Sequence, residues 1–531
     1  MADGHSTLSG PLRIPEFRLL WMGGLALNLA LWMQSVGAAW LMLSLAPSPL
    51  MVALIQTAQS LPTFLLGLPA GVLADLVNRR HLILFSCSLL LLAAGLAAGS
   101  TATSTMTPLL LLVITAMIGA GFSLQAPAVH TSLVEAVPRE QLFTALALSA
   151  ISFNAARAVG PAIAGAIVAT AGTVAVFVAC AVLIAISFGS ALRWRPQARS
   201  QDLPPERVLL GVQGALQYAR HSPVIKAQLA RTILFVGAAS GIWALLPVLA
   251  RDRLHLDADG YGLLLGSLGA GAIVGAFTSE RLRRRWSMNR VGMVSAAAYA
   301  LGTLVTAESS STVLTCVALG FAGAGWAVVG NVNLTAIQTA IPPWVRARAM
   351  ALYLLVFQGA MALGSLLWGT VATHAGIEGA LLASVAVLLV TVAIMRVVPA
   401  RIGDAAAATP SEVLAPPDVQ VKPGDEDGPI AVQVNYVIRE QDRAEFLAAM
   451  TALGRSRRRD GALFWRIYRD LGDPHRYAER FVVRSWTDYL RQRARATAAD
   501  RVLEERAVAL HVGDELPGMQ HMLAERLADA D

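Results

Sequence analysis

"IGAGFS" (Ile118–Ser123) and "AGAGWA" (Ala322–Ala327) lie 204 residues apart, each inside a long apolar run. The same offset aligns much more of the chain. Gly37 meets Gly241, Gly67 meets Gly271, Gly71 meets Gly275, and Arg79-Arg80 meets Arg283-Arg284. Pro138 meets Pro342, Phe153 meets Phe357 and Gly160 meets Gly364. Alanine and leucine matches come cheaply in such a composition, so the Gly, Pro and Arg matches carry the weight. The offset spans six apolar runs, an even number, so both copies enter a membrane in the same sense. Two parallel six-helix repeats imply an axis along the membrane normal, a cavity between the halves, and rocking about it.

Composition supports a membrane setting. The chain has 531 residues, of which 55% are hydrophobic and only 15% charged, and its mean hydropathy is +0.57. A water-soluble surface for a chain of this size needs more charge. Of the 42 Lys and Arg residues, 18 lie after position 421, beyond the apolar runs. Basic loops and a basic tail therefore account for the pI near 9.7, and no nucleic-acid partner is expected. Cys87, Cys180 and Cys316 sit singly in apolar runs without CxxC spacing and read as small hydrophobic fillers. No cleavable signal is expected at the N-terminus, because the first apolar run is too long for one.

A window of about 19 residues yields twelve spans. They fall near 19–45, 50–75, 81–100, 108–128, 142–170, 173–192, 230–250, 259–279, 289–307, 311–331, 348–372 and 376–398. Arginines crowd the connections on one side, culminating in "ERLRRRWSMNR" (Glu280–Arg290), whereas the other side holds only Arg251 and Arg253, offset by nearby aspartates. The positive-inside rule then places both termini in the cytoplasm, with the chain in the inner (plasma) membrane and the lipid bilayer as its solvent. The expected division is 15–195 and 229–400 for the six-helix halves, 196–228 for a cytoplasmic linker with an amphipathic helix, 401–429 for a second linker, 430–515 for a soluble domain, and 516–531 for a tail.

"GVLADLVNRRHLIL" (Gly71–Leu84) resembles the signature loop of the major facilitator superfamily, with Gly71, Asp75, Arg79 and Arg80 in register. Leu76 stands where a basic residue is usual and Asn78 where glycine is usual; asparagine tolerates a left-handed turn best among the other residues. "GPAIAG" (Gly160–Gly165) is similar to the core of that family's antiporter motif. "AVPREQLFTALALSAISFNAARAVGP", "WALLPVLARDRL" and "YLLVFQGAMALGSLLWG" resemble the transmembrane secretion effector branch, which includes the enterobactin exporter. The resemblance implies alternating access. It also implies a latch between Asp75 and the start of the eleventh span near Arg346 and Arg348, against the plainer reading that Asp75, Arg79 and Arg80 anchor a cytoplasmic loop.

Arg157 is the candidate at the centre of the membrane. Asn154, Arg157, Pro161 and Gly165 share one helical face. Pro161 has no N–H to give the Arg157 carbonyl, so the helix can bend there. In the repeat, Asn154 meets Gln358, Arg157 meets Met361 and Pro161 meets Ser365, so the scaffold itself does not demand arginine. Either Arg157 contacts substrate, with Asn154, Asn28, Gln34 and Gln358 as fellow candidates, or it staples its helix to Asn28, Gln34 or Gln125. Gly160 and Pro161 are the expected flexible point. Asp75, Glu135, Glu308 and His130 all lie near span ends, so proton coupling has to use Glu135 or Asp75 or be unusual. No GK[ST] loop for ATP is present, and no cofactor is expected. A cation without a carboxylate favours anionic or neutral amphipathic cargo.

Residues 430–515 read as β-α-β-β-α, resembling the ferredoxin-like, antibiotic-biosynthesis-monooxygenase-like α+β domains. His475 and His511 are the tempting catalytic groups there, but they lack metal-ligand spacing and read better as structural residues. The domain is expected to regulate or to dimerise. The expected fold is thus an all-α polytopic membrane protein of twelve helices with a small cytoplasmic α+β domain. Its expected activity is export of a small amphipathic organic molecule, such as a siderophore, metabolite or drug. The competing reading is a membrane-tethered enzyme or sensor whose tail carries the chemistry.

Overall fold

The computed structural model describes residues 10–195, 219–341, 343–399 and 419–525, apart from Lys422, Asp425 and Asp514. Most of the expected amphipathic helix at Asp202–Pro223 and most of the 401–429 linker lie outside the described residues. The chain forms two compact units. One comprises Met1–Pro205, Leu229–Leu334 and Tyr353–Ala400, and the other Glu206–Gln228, Thr335–Leu352 and Arg401–Asp531.

Ten helices among the described residues are long and apolar enough to cross a membrane. They are α1 (Pro15–Leu45), α2 (Pro49–Leu76), α3 (Arg79–Ala102), α4 (Pro108–Glu135), α5 (Leu142–Arg193), α6 (Pro223–Asp252), α7 (Ala258–Arg285), α8 (Met288–Glu308), α9 (Thr312–Ala340) and α10 (Pro343–Val397). Proline opens α1, α2 and α4, where a missing N–H costs nothing. Side chains of Asn78, Thr107 and Ser287 cap α3, α4 and α8 by accepting from the backbone N–H of Arg80, Leu110 and Arg290. Helices α4 and α9 run several residues past the expected spans, because a hydropathy window stops where apolar residues stop and a helix need not.

Helix α5 has 52 residues and α10 has 55. At 1.5 Å per residue each is more than twice the ~30 Å of a bilayer core. Each breaks at a glycine: Gly172 with φ 80° and ψ 174°, and Gly376 with φ 75° and ψ 168°. That backbone region belongs almost solely to glycine. The two positions are again 204 residues apart, so the repeat is written into the hinge geometry as well as the sequence.

The glycine triplets do matching work in the two halves. Gly119 of α4 abuts the backbone carbonyl of Gln59 on α2, and Gly121 lies against Leu90 of α3. Gly323 of α9 abuts the backbone of Leu268 on α7, and Gly325 abuts the Ser295 carbonyl on α8. Each triplet therefore lets one helix approach two neighbours to backbone contact, one on each face.

The second unit contains an antiparallel sheet of β1 (Ile430–Val437), β2 (Phe464–Arg469), β3 (Arg476–Val483) and β4 (Gly518–Leu523), in the order β2-β3-β1-β4. Helices α11 (Arg443–Arg459), α12 (Trp486–Arg495) and α13 (Ala498–Ala509) complete it. Strand β1 alternates buried and half-buried residues, as a strand with one covered face must. No fourth strand is expected from the sequence, where "GMQHML" alternates too weakly to announce itself, yet β4 pairs along β1 from Leu523 opposite Ile430 to Gly518 opposite Asn435 and so takes part of the expected 516–531 tail into the sheet.

Glu479 on β3 is fully buried and accepts from the Trp465 indole at 2.9 Å and from Arg457 Nε at 3.4 Å. Arg457 in turn pairs with Glu504 at 2.7 Å. Removing one partner of such a buried group strands the other, at about 3–5 kcal/mol. Glu479→Ala is therefore expected to make this domain in the full-length protein markedly more sensitive to limited proteolysis; an unchanged digestion pattern would show the network to be dispensable.

Candidate functional site

A cavity of about 280 Å³ lies between the two halves of the helical unit. Seven of its 24 lining residues are aromatic, and five of these form a connected array. Trp32 of α1 meets Phe153 of α5 at 6.3 Å between ring centroids and Trp243 of α6 at 6.0 Å. Trp243 continues to Trp326 of α9 at 5.6 Å, and Trp326 to Phe357 of α10 at 5.8 Å. The array thus crosses from one repeat to the other. Gly160 makes it possible, since an added Cβ there would sit 2.9 Å from the Trp32 Cβ.

Arg157 lines this cavity together with Asn28, Gln56, Gln59 and Gln358. Its Nη2 donates to Asn154 Oδ1 at 2.8 Å, and Asn154 Nδ2 donates to the Ala150 carbonyl at 2.8 Å. The hydrogen bond of Arg157 stays within α5, three residues away, and its Nε is buried without a partner. Gln34 is 4% exposed, with both amide atoms unpartnered, and is not on the wall. Gln125 receives the Cys87 thiol at 3.7 Å. Of the candidates from sequence, the structure gathers Arg157, Asn28 and Gln358 on the wall, ties Asn154 to Arg157, and leaves Gln34 behind it. No acidic side chain is among the lining residues described. Gln59 is oriented by Ser35, whose hydroxyl donates to its Oε1 at 3.0 Å.

The halves meet along two seams. On one, an added Cβ at Gly165 of α5 would lie 2.6 Å from the Ala258 carbonyl of α7, one at Gly262 would lie 2.7 Å from the Pro161 carbonyl, and one at Gly269 3.0 Å from the Arg157 carbonyl. The carbonyl that Pro161 leaves without a helical donor is therefore packed against a glycine of the other half. On the second seam, Thr57 Oγ1 donates to the Ala362 carbonyl at 3.0 Å, Gly369 receives Ala53, and Gly359 receives the Phe64 ring. At the end away from the Arg-rich loops, Arg251 Nη1 donates to the Leu43 carbonyl at 2.7 Å, near the C-terminus of α1. A cation at a helix C-terminus is favoured by the helix dipole. Among the described residues, no glycine approach between the halves lies nearer the Arg-rich end than Gly359, and Gly67 and Gly71 of α2 have open space around them.

In the loop after α2, Arg79 pairs with Glu135 at the end of α4, and Arg80 donates to the Leu192 carbonyl at the end of α5. Both arginines thus bind within their own half. The side chains of Asp75, Arg346 and Arg348 lie outside the described residues. In the sheet domain, His511 Nδ1 accepts from the Val437 N–H at 2.8 Å and its Nε2 meets the Glu515 carbonyl at 3.0 Å, while His475 contacts the Ile438 carbonyl. Those are backbone-bracing roles.

Residues 5–528 match the profile of the transmembrane secretion effectors. The chain belongs to that family. Transmembrane secretion effectors are a branch of the major facilitator superfamily, and this one is a multi-pass membrane transporter rather than an enzyme. It is 22% identical to the staphyloferrin A transporter of Staphylococcus aureus over 358 residues, covering 65% of this chain and 87% of that protein. It is 27% identical to the multidrug efflux pump Tap of Mycolicibacterium fortuitum over 402 residues, covering 71% and 93%. Among solved structures, the nucleoside transporter NupG superposes with a TM-score of 0.59 at 14% identity, covering 72% of this chain and 98% of that one. An inward-facing bacterial homologue of the iron transporter ferroportin gives 0.58 at 18%, covering 73% and 99%. At these identities the structures speak for the fold alone.

Sequence reasoning missed the aromatic array and also Arg231, which is 1% exposed. Its Nη1 donates to Asn289 Oδ1 at 2.8 Å and to the Val398 carbonyl at 2.9 Å, joining α6, α8 and the end of α10. The one signal available was that the repeat puts Leu27 at the matching position.

Proposed function

We propose that this transmembrane secretion effector is a secondary active exporter working by alternating access, driven by the proton gradient, with a small amphipathic organic molecule such as a siderophore, metabolite or drug as its cargo. The observation that carries the proposal is the aromatic, Arg157-bearing cavity shared by two repeat halves that meet on glycine-lined seams. The relatives named for a siderophore and for multidrug efflux support that range of cargo. In this reading the breaks at Gly172 and Gly376 turn ten helices into twelve crossings, with both termini in the cytoplasm and the chain in the inner membrane. The domain division otherwise follows the sequence boundaries, with a ferredoxin-like, monooxygenase-like domain that runs from 430 through β4 at 523 and regulates or dimerises. Arg157, Asn28 and Gln358 serve the cargo, with Asn154 holding Arg157, while Gln34, expected with them, lies off the cavity wall. Asp75, Arg79, Arg80, Gly71, Gly160, Pro161, Arg346 and Arg348 serve the gates, and Glu135 or Asp75 carries the proton.

Inside-out vesicles test this with a candidate library. Uptake of at least one cargo is expected under an imposed pH gradient, and a protonophore should abolish it. Uptake that ignores the gradient and requires ATP would overturn the reading, as would the lack of any uptake. A chain ending near Arg401 is expected to retain the flux.

A further inference from the structure

Arg157 lines the cavity, and its charge is not balanced there. Arg157 spends one nitrogen on the neutral Asn154, and no carboxylate stands among the described lining residues to neutralise it. An ammonium ligand would meet an uncompensated cation in a low-dielectric site, whereas an anionic ligand would complete it.

The rings define the rest of the ligand. Neighbouring centroids along Trp32, Trp243, Trp326 and Phe357 are 5.6–6.0 Å apart. Slotting a flat ring between two parallel ones takes about 7 Å, twice a van der Waals contact. A ligand ring therefore lies on the array, edge to face or offset, as aromatic pairs prefer. We infer that the cavity takes a planar aromatic anion, its charge facing the Arg157 guanidinium and its ring laid on the tryptophan array. This rests on the transporter reading above and narrows its cargo.

The test compares four probes on the purified full-length protein by calorimetric titration: 1-naphthoate, 1-naphthalenemethanol, 1-naphthylmethylamine and cyclohexanecarboxylate. The naphthoate should bind at least about tenfold tighter than each of the other three, a gap of ~1.4 kcal/mol. Arg157→Met should bring the acid-to-alcohol ratio to about one, while a symmetric elution profile reports the fold. Equal affinities of acid, alcohol and amine for the wild type overturn the inference. So does an acid preference that survives Arg157→Met, or a lack of binding by every naphthalene probe. Gradient-driven vesicle flux without acid preference would sink this inference and leave the transporter standing; acid-selective binding without flux would do the reverse.

Discussion

Gly323→Val leaves little folded protein. A Cβ at this position would fall inside the contact distance of the Leu268 carbonyl oxygen and lie 2.8 Å from its carbon and 3.1 Å from the Ala272 nitrogen. These are backbone atoms of α7, so no rotamer change relieves the clash; a whole helix has to move. Overpacking by a methylene or two in a close-packed interior costs about 1–3 kcal/mol, and here the displaced object is a helix whose other face is already fixed. Gly325 holds α8 in the same way from the opposite side of α9, so relief toward one neighbour tightens the other. The expected result is loss of monodisperse protein on extraction, with a lowered thermal midpoint for whatever survives. Gly95→Val on α3 is the control, because nothing lies within 4 Å of a Cβ there. If Gly323→Val purified and melted like that control, the helix approach described here would be wrong.

The triplet was readable because glycine at a helix crossing is demanded by backbone contact, and the demand is met twice, 204 residues apart. The hydropathy window put span ends beside Gly172 and at Gly376, but neither glycine stood out in the sequence, which offered no hint that the backbone there would adopt a glycine-only conformation. The cavity wall was far less legible. In a soluble helix the apolar face marks the core, but α1 and α9 are apolar all round, so periodicity cannot separate a tryptophan facing lipid from one facing cargo. Trp32, Trp243 and Trp326 therefore passed as ordinary membrane residues. Polar residues were noticed because charge and amide groups are rare at depth, yet noticing them did not fix their direction: Asn28 reaches the cavity while Gln34, on the same helix, turns into the packed interior. Arg157 was found because burial of a charge is costly enough to need a reason. Arg231 has the same cost but lies near a basic loop, where an arginine attracts no notice.

Gly262→Val tests the other kind of glycine. The steric arithmetic resembles that at Gly323, with an added Cβ 2.7 Å from the Pro161 carbonyl and 3.1 Å from the Gly165 α-carbon. The partner, however, belongs to the opposite half. Alternating access requires this seam to part once per cycle, so the clash raises the free energy of the sealed arrangement without charging the separated one. A penalty of about 1–3 kcal/mol shifts a two-state balance by roughly 5- to 150-fold. The protein should accordingly fold and purify normally while its conformers redistribute, and gradient-driven flux should fall by at least about tenfold, since a transporter that cannot reseal cannot turn over. A cysteine pair placed across the seam, one at Ala162 and one at Gly266, reports the redistribution through cross-linking yield. These residues face each other at the seam, with the Ala162 Cβ 3.8 Å from a Cβ added at Gly266. Efficient cross-linking in the Gly262→Val background, with flux intact, would mean that α5 and α7 form a static joint and that the halves rock elsewhere.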